Sequence, residues 1–287
     1  MFDVAIIGTG PAGISTALNM KIHNKDYIWF GSRKLSDKVD KAEQIRNYPG
    51  FIDVSGNELN EAFRKQVEAM DLQITEAMVN NIMPFGDHFA VTAGSEFYEA
   101  KTVVLTTGVA VKATIKNESE FLGRGVSYCA TCDGNLYKGK TIAVVSNNAR
   151  FEHEVKFLAE LADKVHFFPQ YPKAGSIAEN VETHLERLSE INGEMKVNGI
   201  SFGQDKHLDV DGVFVLRDSI ALSNLLPGLE VDSNGHIIVD RQMNTSIKGV
   251  FAAGDCTGRP YQYTKAVGEG NVAAHSIIEY LAANPAE

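Results

Sequence analysis

Cys129-Ala130-Thr131-Cys132-Asp133-Gly134 carries the most specific chemistry in the sequence. Two thiols at this spacing can close a small disulfide ring, and exchange with another disulfide needs one of them as a reactive thiolate. Asp133 stands next to the pair and can carry the proton that exchange moves. The competing chemistry is half of a zinc site. That needs a second set of ligands, and the rest of the chain offers only Cys256 and scattered histidines, so no metal is expected. Three cysteines in 287 residues exclude a disulfide scaffold. Cys256 reads as a small buried residue.

The second chemical feature is Gly8-Thr9-Gly10-Pro11-Ala12-Gly13. The spacing G-x-G-x-x-G gains weight where it joins a strand to a helix. Gly8 permits a tight turn, Gly10 lets backbone approach a pyrophosphate, and Gly13 allows helix and strand to pack closely. The helix N-terminus then meets the phosphates with free N–H groups and its dipole. An acid normally follows the next strand to bind a ribose. Phe30-Gly31-Ser32-Arg33 stands there instead, so Ser32 offers a hydroxyl or is a plain loop residue. The motif alone does not separate FAD from NAD.

The elements around these motifs are those of an α/β protein. A buried strand over residues 3–7 leads into the glycines. A helix follows with Ile14, Ala17, Leu18 and Ile22 on one face, then a strand at 27–30. Leu59, Phe63, Val67 and Met70 predict a helix within 55–71, and residues 72–107 are strand-rich. A second βαβ start is expected from a strand at 141–145, a helix at 151–162 and a strand at 165–168. A further helix is expected at 177–189, with strand signals to about 240. A strand at 249–253 and a helix at 270–282 close the chain. The expected fold is two Rossmann-like, three-layer nucleotide-binding-type domains, the first discontinuous (1–111 with 245–287) and the second inserted at 112–244.

Hydrophobic content of 44% and charged content of 22% indicate a globular chain. The net charge of −10 argues against nucleic-acid binding. No apolar run approaches the roughly 18 residues of a membrane span. No basic leader precedes the first strand, and a cytoplasmic location is expected.

Ser127-Tyr128-Cys129-Ala130-Thr131-Cys132-Asp133-Gly134 resembles the redox segment of the low-molecular-weight flavoprotein thioredoxin reductases. The glycine turn at 8–13, Asn47-Tyr48-Pro49-Gly50, Thr245-Ser246 and Phe251-Ala252-Ala253-Gly254-Asp255 resemble the same family. So does the stretch from Tyr261-Gln262 to Gly268-Glu269-Gly270. The likeness spans the chain, with the motifs in family order. It implies FAD as cofactor, a homodimer, and thioredoxin as disulfide partner. It further implies that Cys132 faces the flavin, Cys129 attacks the substrate disulfide and Asp133 is the acid–base. Flavin contacts are implied for Gly8, Gly10, Pro11, Ala12, Gly13, Ser32, Asn47, Val79, Thr107 and Gly108, for Asp255 at the ribityl chain, and for Gln262 at the pyrimidine end. Rotation of the inserted domain is implied too, with hinges expected around 110–118 and 241–248.

The chain departs from the family at its second nucleotide motif. Aligned inside the sequence, Ala5-Ile6-Ile7 falls on Ala143-Val144-Val145, so Gly8, Gly10 and Gly13 fall on Ser146, Asn148 and Phe151. The basic cluster that would hold the 2′-phosphate of NADPH is also missing. Pro169-Gln170-Tyr171-Pro172 stands in its place, and the first basic residue is Lys173. The sequence most resembles the ferredoxin-dependent flavin thioredoxin reductases. The expected activity is electron flow from ferredoxin through FAD and Cys129–Cys132 to thioredoxin. A dithiol oxidase using oxygen, an NADPH-dependent reductase with a degenerate site, and a non-catalytic flavin-binding protein are the alternatives. Lys21, Lys25, Arg33, Lys34, Lys38, Lys41 and Arg46 stand against four acids over residues 21–46, a candidate docking surface for an acidic donor. Glu152-His153-Glu154 reads as a solvated helix face rather than a metal site.

Overall fold

The computed structural model describes residues 1–40, 42–108, 115–128, 130–172, 174–217 and 222–284, with the side chains of Cys132, Ser223 and Asn224 also outside the description. The chain divides into two compact units. One comprises Met1–Ala110 and Leu225–Glu287, the other Val111–Asn224.

The first unit opens with β1 (Phe2–Ile7), α1 (Pro11–Ile22), β2 (Tyr27–Phe30), α2 (Asp37–Asp40), α3 (Gly56–Ala69), β3 (Val79–Phe85), β4 (His88–Ala93) and β5 (Glu96–Leu105). The second contains β6 (Val126–Ser127), α4 (Ala130–Asp133), β7 (Thr141–Ser146), α5 (Glu152–Leu161), β8 (Lys164–Pro169), β9 (Val181–Thr183), β10 (Leu188–Gly193), β11 (Val197–Phe202), β12 (Lys206–Asp209) and β13 (Gly212–Leu216). After α6 (Leu222–Leu225), the chain completes the first unit with β14 (Val250–Ala252) and α7 (Tyr263–Ala283).

The first sheet runs β2-β1-β5-β4-β3, with β14 also on β5. Strands β2, β1, β5 and β14 pair in parallel, whereas β3 and β4 form an antiparallel extension. The sequence shows why. Val4-Ala5-Ile6-Ile7 is buried throughout, as a strand covered on both faces must be, while β4 alternates buried Phe89, Val91 and Ala93 with partly exposed residues. Helix α3 starts on a capping box, Ser55 Oγ accepting from Glu58 N and Glu58 accepting from Ser55 N. Helices α1 and α7 touch where Gly270 meets Ala12: a Cβ on Gly270 would lie 2.3 Å from Ala12 O.

The second unit holds a parallel sheet, β6-β13-β7-β8-β9, and a three-stranded antiparallel sheet, β10-β11-β12. Both units are thus α/β with parallel sheets, as the sequence predicts.

Four expectations are corrected. The helix over 177–189 does not form; Val181–Thr183 is an edge strand and Leu188–Gly193 begins the antiparallel sheet. Ile177, Val181, Leu185 and Leu188 have helical spacing, but Leu185 is exposed while Leu188 and Ile191 fill the core beside Ile200. Tertiary pairing overrides the local period. The last helix starts at Tyr263, not 270, because Gly268 and Gly270 sit inside it and Gly270 serves the contact with Ala12. The second unit ends at Asn224 rather than 244. Residues 225–244 pack with the first unit: Ile237 N donates to Cys256 O at 2.8 Å, Ala252 N to Met243 O at 3.1 Å, and Met243 joins the core containing Val4 and Phe251. The expected hinge at 241–248 therefore lies within the first unit, the chain passing between units at 224/225. Of the expected hinge at 110–118, residues 110–114 lie outside the described residues.

Candidate active site

The glycine turn of the first unit is built by contact. Gly8 has φ +120° and its N–H donates to Phe30 O at 2.9 Å, while Trp29 Nε1 and Thr106 Oγ1 both donate to Gly8 O. A Cβ on Gly8 would lie 2.3 Å from Thr106 O, and one on Gly13 would lie 2.0 Å from Gly8 O. A side chain at either position would have to displace backbone. Gly10 is different. It caps α1 in an extended conformation, and a Cβ there would meet nothing within 4 Å. Its smallness leaves clear space at the helix N-terminus, where Pro11 occupies the first turn and no acidic side chain stands.

Other expected cofactor residues gather around this turn. Thr9 Oγ1 accepts from Ser32 N at 3.1 Å, bringing the end of β2 to the glycines. Ser32 Oγ accepts from Lys34 N. Thr107 and Gly108 follow directly on Thr106, and Thr107 Oγ1 is buried with no hydrogen-bond partner among the described residues. Ala12 lies against Gly254, where a Cβ would approach Ala12 Cβ to 3.1 Å, so Asp255 is carried to the same helix start. Its carboxylate pairs with Lys38 Nζ. Asn47 Nδ2 donates to Gln262 Oε1 at 2.8 Å, joining two expected flavin residues across 215 positions at the start of α7. Val79 is buried at the start of β3, four residues beyond Thr75, whose carbonyl accepts from Gly31 N. The open cradle at Gly10, a first turn of α1 with no acid of its own, and the Thr107 hydroxyl, unpartnered among the described residues, fit a dinucleotide.

The sequence gives no sign of the support beneath Asp255. Glu269 Oε2 accepts from Gly254 N at 2.8 Å, Thr257 Oγ1 at 2.9 Å and Lys265 Nζ at 2.9 Å. Lys265 Nζ also donates to Gly254 O. This network holds the turn that presents Asp255. Cys256 beside it is fully buried, donates to Leu105 O and Ala253 O, and has its thiol pushed up to about 12 by burial. It is the inert core residue expected.

In the second unit, β6 delivers the redox segment. Cys129 lies outside the described residues, and of Cys132 only its place in α4 is described. Asp133 ends α4, with Ser127 Oγ donating to its Oδ2 at 2.6 Å. Tyr128 OH donates to Glu118 Oε1 at 2.8 Å, and Arg217 Nη2 donates to Glu118 Oε2 at 2.7 Å. All three side chains are buried. Breaking such a pair typically costs about 3–5 kcal/mol, since one charge stays buried alone. Sequence reading missed Glu118 and Arg217, which lie 99 positions apart.

The second nucleotide turn differs from the first. Asn148 Oδ1 accepts from Arg150 N at 3.1 Å, and Ser146 Oγ donates to Asn148 O at 2.9 Å. The chain forms a 3₁₀ turn at Ala149–Phe151 before α5 starts, and Phe151 is buried in the core with Val155 and Leu158. Glu152 in the first turn of α5 accepts from Tyr171 OH at 2.8 Å and from Gly175 N at 3.2 Å. The Tyr171 hydroxyl is pushed up, by burial first and then by Glu152. Glu152 is therefore engaged with the loop after β8, and not simply a solvated face; His153 is exposed, and burial raises the Glu154 carboxyl.

The chain matches one family over most of its length. The family profile described as "Pyridine nucleotide-disulphide oxidoreductase" matches residues 2–146 and 169–270. The chain belongs to this family of flavoproteins, and within it to the thioredoxin reductases. It is 34% identical to a thioredoxin reductase of Treponema pallidum, over 98% of this chain and 97% of that protein. Two solved structures of a ferredoxin-flavin thioredoxin reductase from Clostridium acetobutylicum are similar throughout. One is 43% identical with TM-score 0.87 over 98% of each chain, the other 46% identical with TM-score 0.85 over 99% of each. FAD is the cofactor of this family and of this chain. No described helix is long and apolar enough to cross a membrane.

Proposed function

We propose that this chain reduces thioredoxin with electrons from reduced ferredoxin and does not use NADPH. The observation that carries this reading is the closed second nucleotide turn. Asn148 takes the Arg150 N–H that a pyrophosphate would need, and the Glu152 carboxylate stands in the first turn of α5, where a second anion would be repelled. The described loop after β8 presents Gln170, Tyr171 and Pro172, with Tyr171 turned onto Glu152 rather than any cation. The likeness to the two ferredoxin-flavin enzymes supports the same reading.

Bound FAD supplies a carrier that accepts electrons singly and releases them as a pair. The protein's own residues do the rest. The turn at Gly8–Gly13, with Ser32, Thr107, Gly108 and Val79, holds the dinucleotide; Asn47, Asp255 and Gln262 orient its flavin end. Cys132 faces the flavin and Cys129 attacks the disulfide of thioredoxin. Two electrons and two protons convert that disulfide to a dithiol. Asp133, held by Ser127, handles a proton at its carboxylate, and the Glu118–Arg217–Tyr128 group fixes the backbone leading into Cys129. A plant-type ferredoxin near about −400 mV and thioredoxin near about −270 mV differ by roughly 130 mV, or about 6 kcal/mol for two electrons. The flow is therefore close to one-way. The working assembly is a homodimer in the cytoplasm.

The basic excess over 21–46 is a weak guide to the donor surface. Arg33, Lys38 and Arg46 are engaged by Glu76, Asp255 and Asp53, and Lys41 lies outside the described residues. The test is the anaerobic absorbance of the flavin after mixing with reduced ferredoxin or NADPH. Bleaching by ferredoxin alone is expected, and rapid bleaching by NADPH overturns the reading.

A further inference from the structure

Three side chains on the sheet edge of the second unit serve neither the redox segment nor the nucleotide turns. His166 lies in the middle of β8 and pairs in register with Glu182 on β9, and His184 follows two positions beyond Glu182. The alternation of a strand puts Glu182 and His184 on one face. His166 Nδ1 and His184 Nε2 are 3.0 Å apart, His166 Nδ1 and Glu182 Oε2 3.7 Å, and His184 Nε2 and Glu182 Oε1 3.7 Å.

We propose that His166, Glu182 and His184 form a binding site for a divalent transition metal of the zinc class, with a solvent molecule as fourth ligand. Ligand atoms about 2.0–2.2 Å from a tetrahedral ion lie about 3.4 Å from one another; the two ring nitrogens stand 3.0 Å apart, each ring has one of the two Glu182 oxygens at 3.7 Å, and one ligand atom from each of the three side chains lies within 4.8 Å of the others. Two imidazoles with one carboxylate suit zinc, cobalt and nickel better than calcium or magnesium, which take oxygen ligands. The rings are held in place. The His184 ring stacks on Phe168 at 4.8 Å between centroids and meets Phe202 edge-on, while the His166 side chain is only 4% exposed. Glu182 is half-exposed, which leaves water access to the fourth position.

Metal ligation uses the neutral imidazole. In the metal-free pair one ring nitrogen donates to the other. Binding requires only that this ring shift its proton to its other nitrogen, with no net proton released. Lys164 Nζ lies 2.7 Å from Glu182 Oε2 and competes for the carboxylate, but Oε1 faces His184. The metal would tie the three-residue edge strand to β8.

The test uses untagged full-length flavoprotein, cleared of metal by a chelator and kept oxidised so that Cys129 and Cys132 are not thiolates. Zinc chloride is titrated by calorimetry, and cobalt(II) is added separately to read visible ligand-field absorption. We expect close to one equivalent of zinc, and cobalt bands of a four-coordinate site. Glu182→Gln weakens zinc binding by about tenfold or more, and His184→Gln removes it, with far-UV circular dichroism and thermal melting verifying the fold in each variant. Absence of stoichiometric zinc binding by the oxidised protein overturns the proposal, as does binding that both variants leave unchanged.

Discussion

Gly10 and Gly13 stand three residues apart and fail for opposite reasons when substituted. At Gly10 an added Cβ meets no described atom within 4 Å, so Gly10→Glu should leave the apoprotein folded. Its carboxylate instead enters the space at the start of α1. Two unit charges about 4 Å apart repel by about 4 kcal/mol at an effective dielectric near 20. That corresponds to roughly a thousandfold weaker FAD binding. Gly13→Ala acts on the fold itself, since its Cβ would lie 2.0 Å from Gly8 O and 2.9 Å from Thr106 Oγ1. Overpacking of this kind costs about 1–3 kcal/mol, or roughly 3–9 °C in Tm for a unit of this size. The assay pairs thermal melting of the apoprotein with FAD titration by fluorescence quenching. Gly10→Glu should melt within about 3 °C of the parent and lose FAD; Gly13→Ala should melt lower even without FAD. An affinity for FAD within tenfold of the parent in Gly10→Glu would refute the steric and electrostatic reasoning.

Cys129→Ser should retain FAD and show long-wavelength charge-transfer absorption from the thiolate of Cys132, whereas Cys132→Ser should not; the reverse optical pattern would exchange the two roles. With burial pushing its thiol up to about 12, Cys256 stays protonated at pH 8. The reduced native protein should therefore release only two thiols to alkylation at pH 8, and a third only in denaturant, as mass spectrometry can count. Glu269→Ala strips three donors of their acceptor at the Gly254 turn, so stability should fall by about 2 kcal/mol in urea unfolding and FAD affinity should fall with it. Unchanged FAD affinity would show that the network does not position Asp255.

Some of the site was legible because it is local. The glycines of the first turn are fixed by sterics within a few residues, and the loss of three such glycines at Ser146, Asn148 and Phe151 reads equally well. The sequence shows that Asn148 replaces a glycine; only the structure shows its side chain on Arg150 N. Other parts depend on contacts between distant positions. Glu118 with Arg217, and Asn47 with Gln262, have no local signature. The misread helix over 177–189 had a second effect. On a helix Glu182 and His184 point in different directions, so the cluster with His166 emerges only once β9 is paired beside β8.

The electron donor sets this chain apart from NADPH-dependent reductases, and anaerobic stopped-flow reduction of the flavin tests which donor it takes. The oxidised protein is mixed with excess reduced ferredoxin in one experiment and with millimolar NADPH in another, and flavin absorbance is followed to completion. Ferredoxin should bleach the flavin and, with thioredoxin present, sustain turnover, while NADPH leaves the spectrum unchanged. Rapid and complete bleaching by NADPH would contradict the account, because Asn148, Phe151 and Glu152 would then have failed to close the second nucleotide turn.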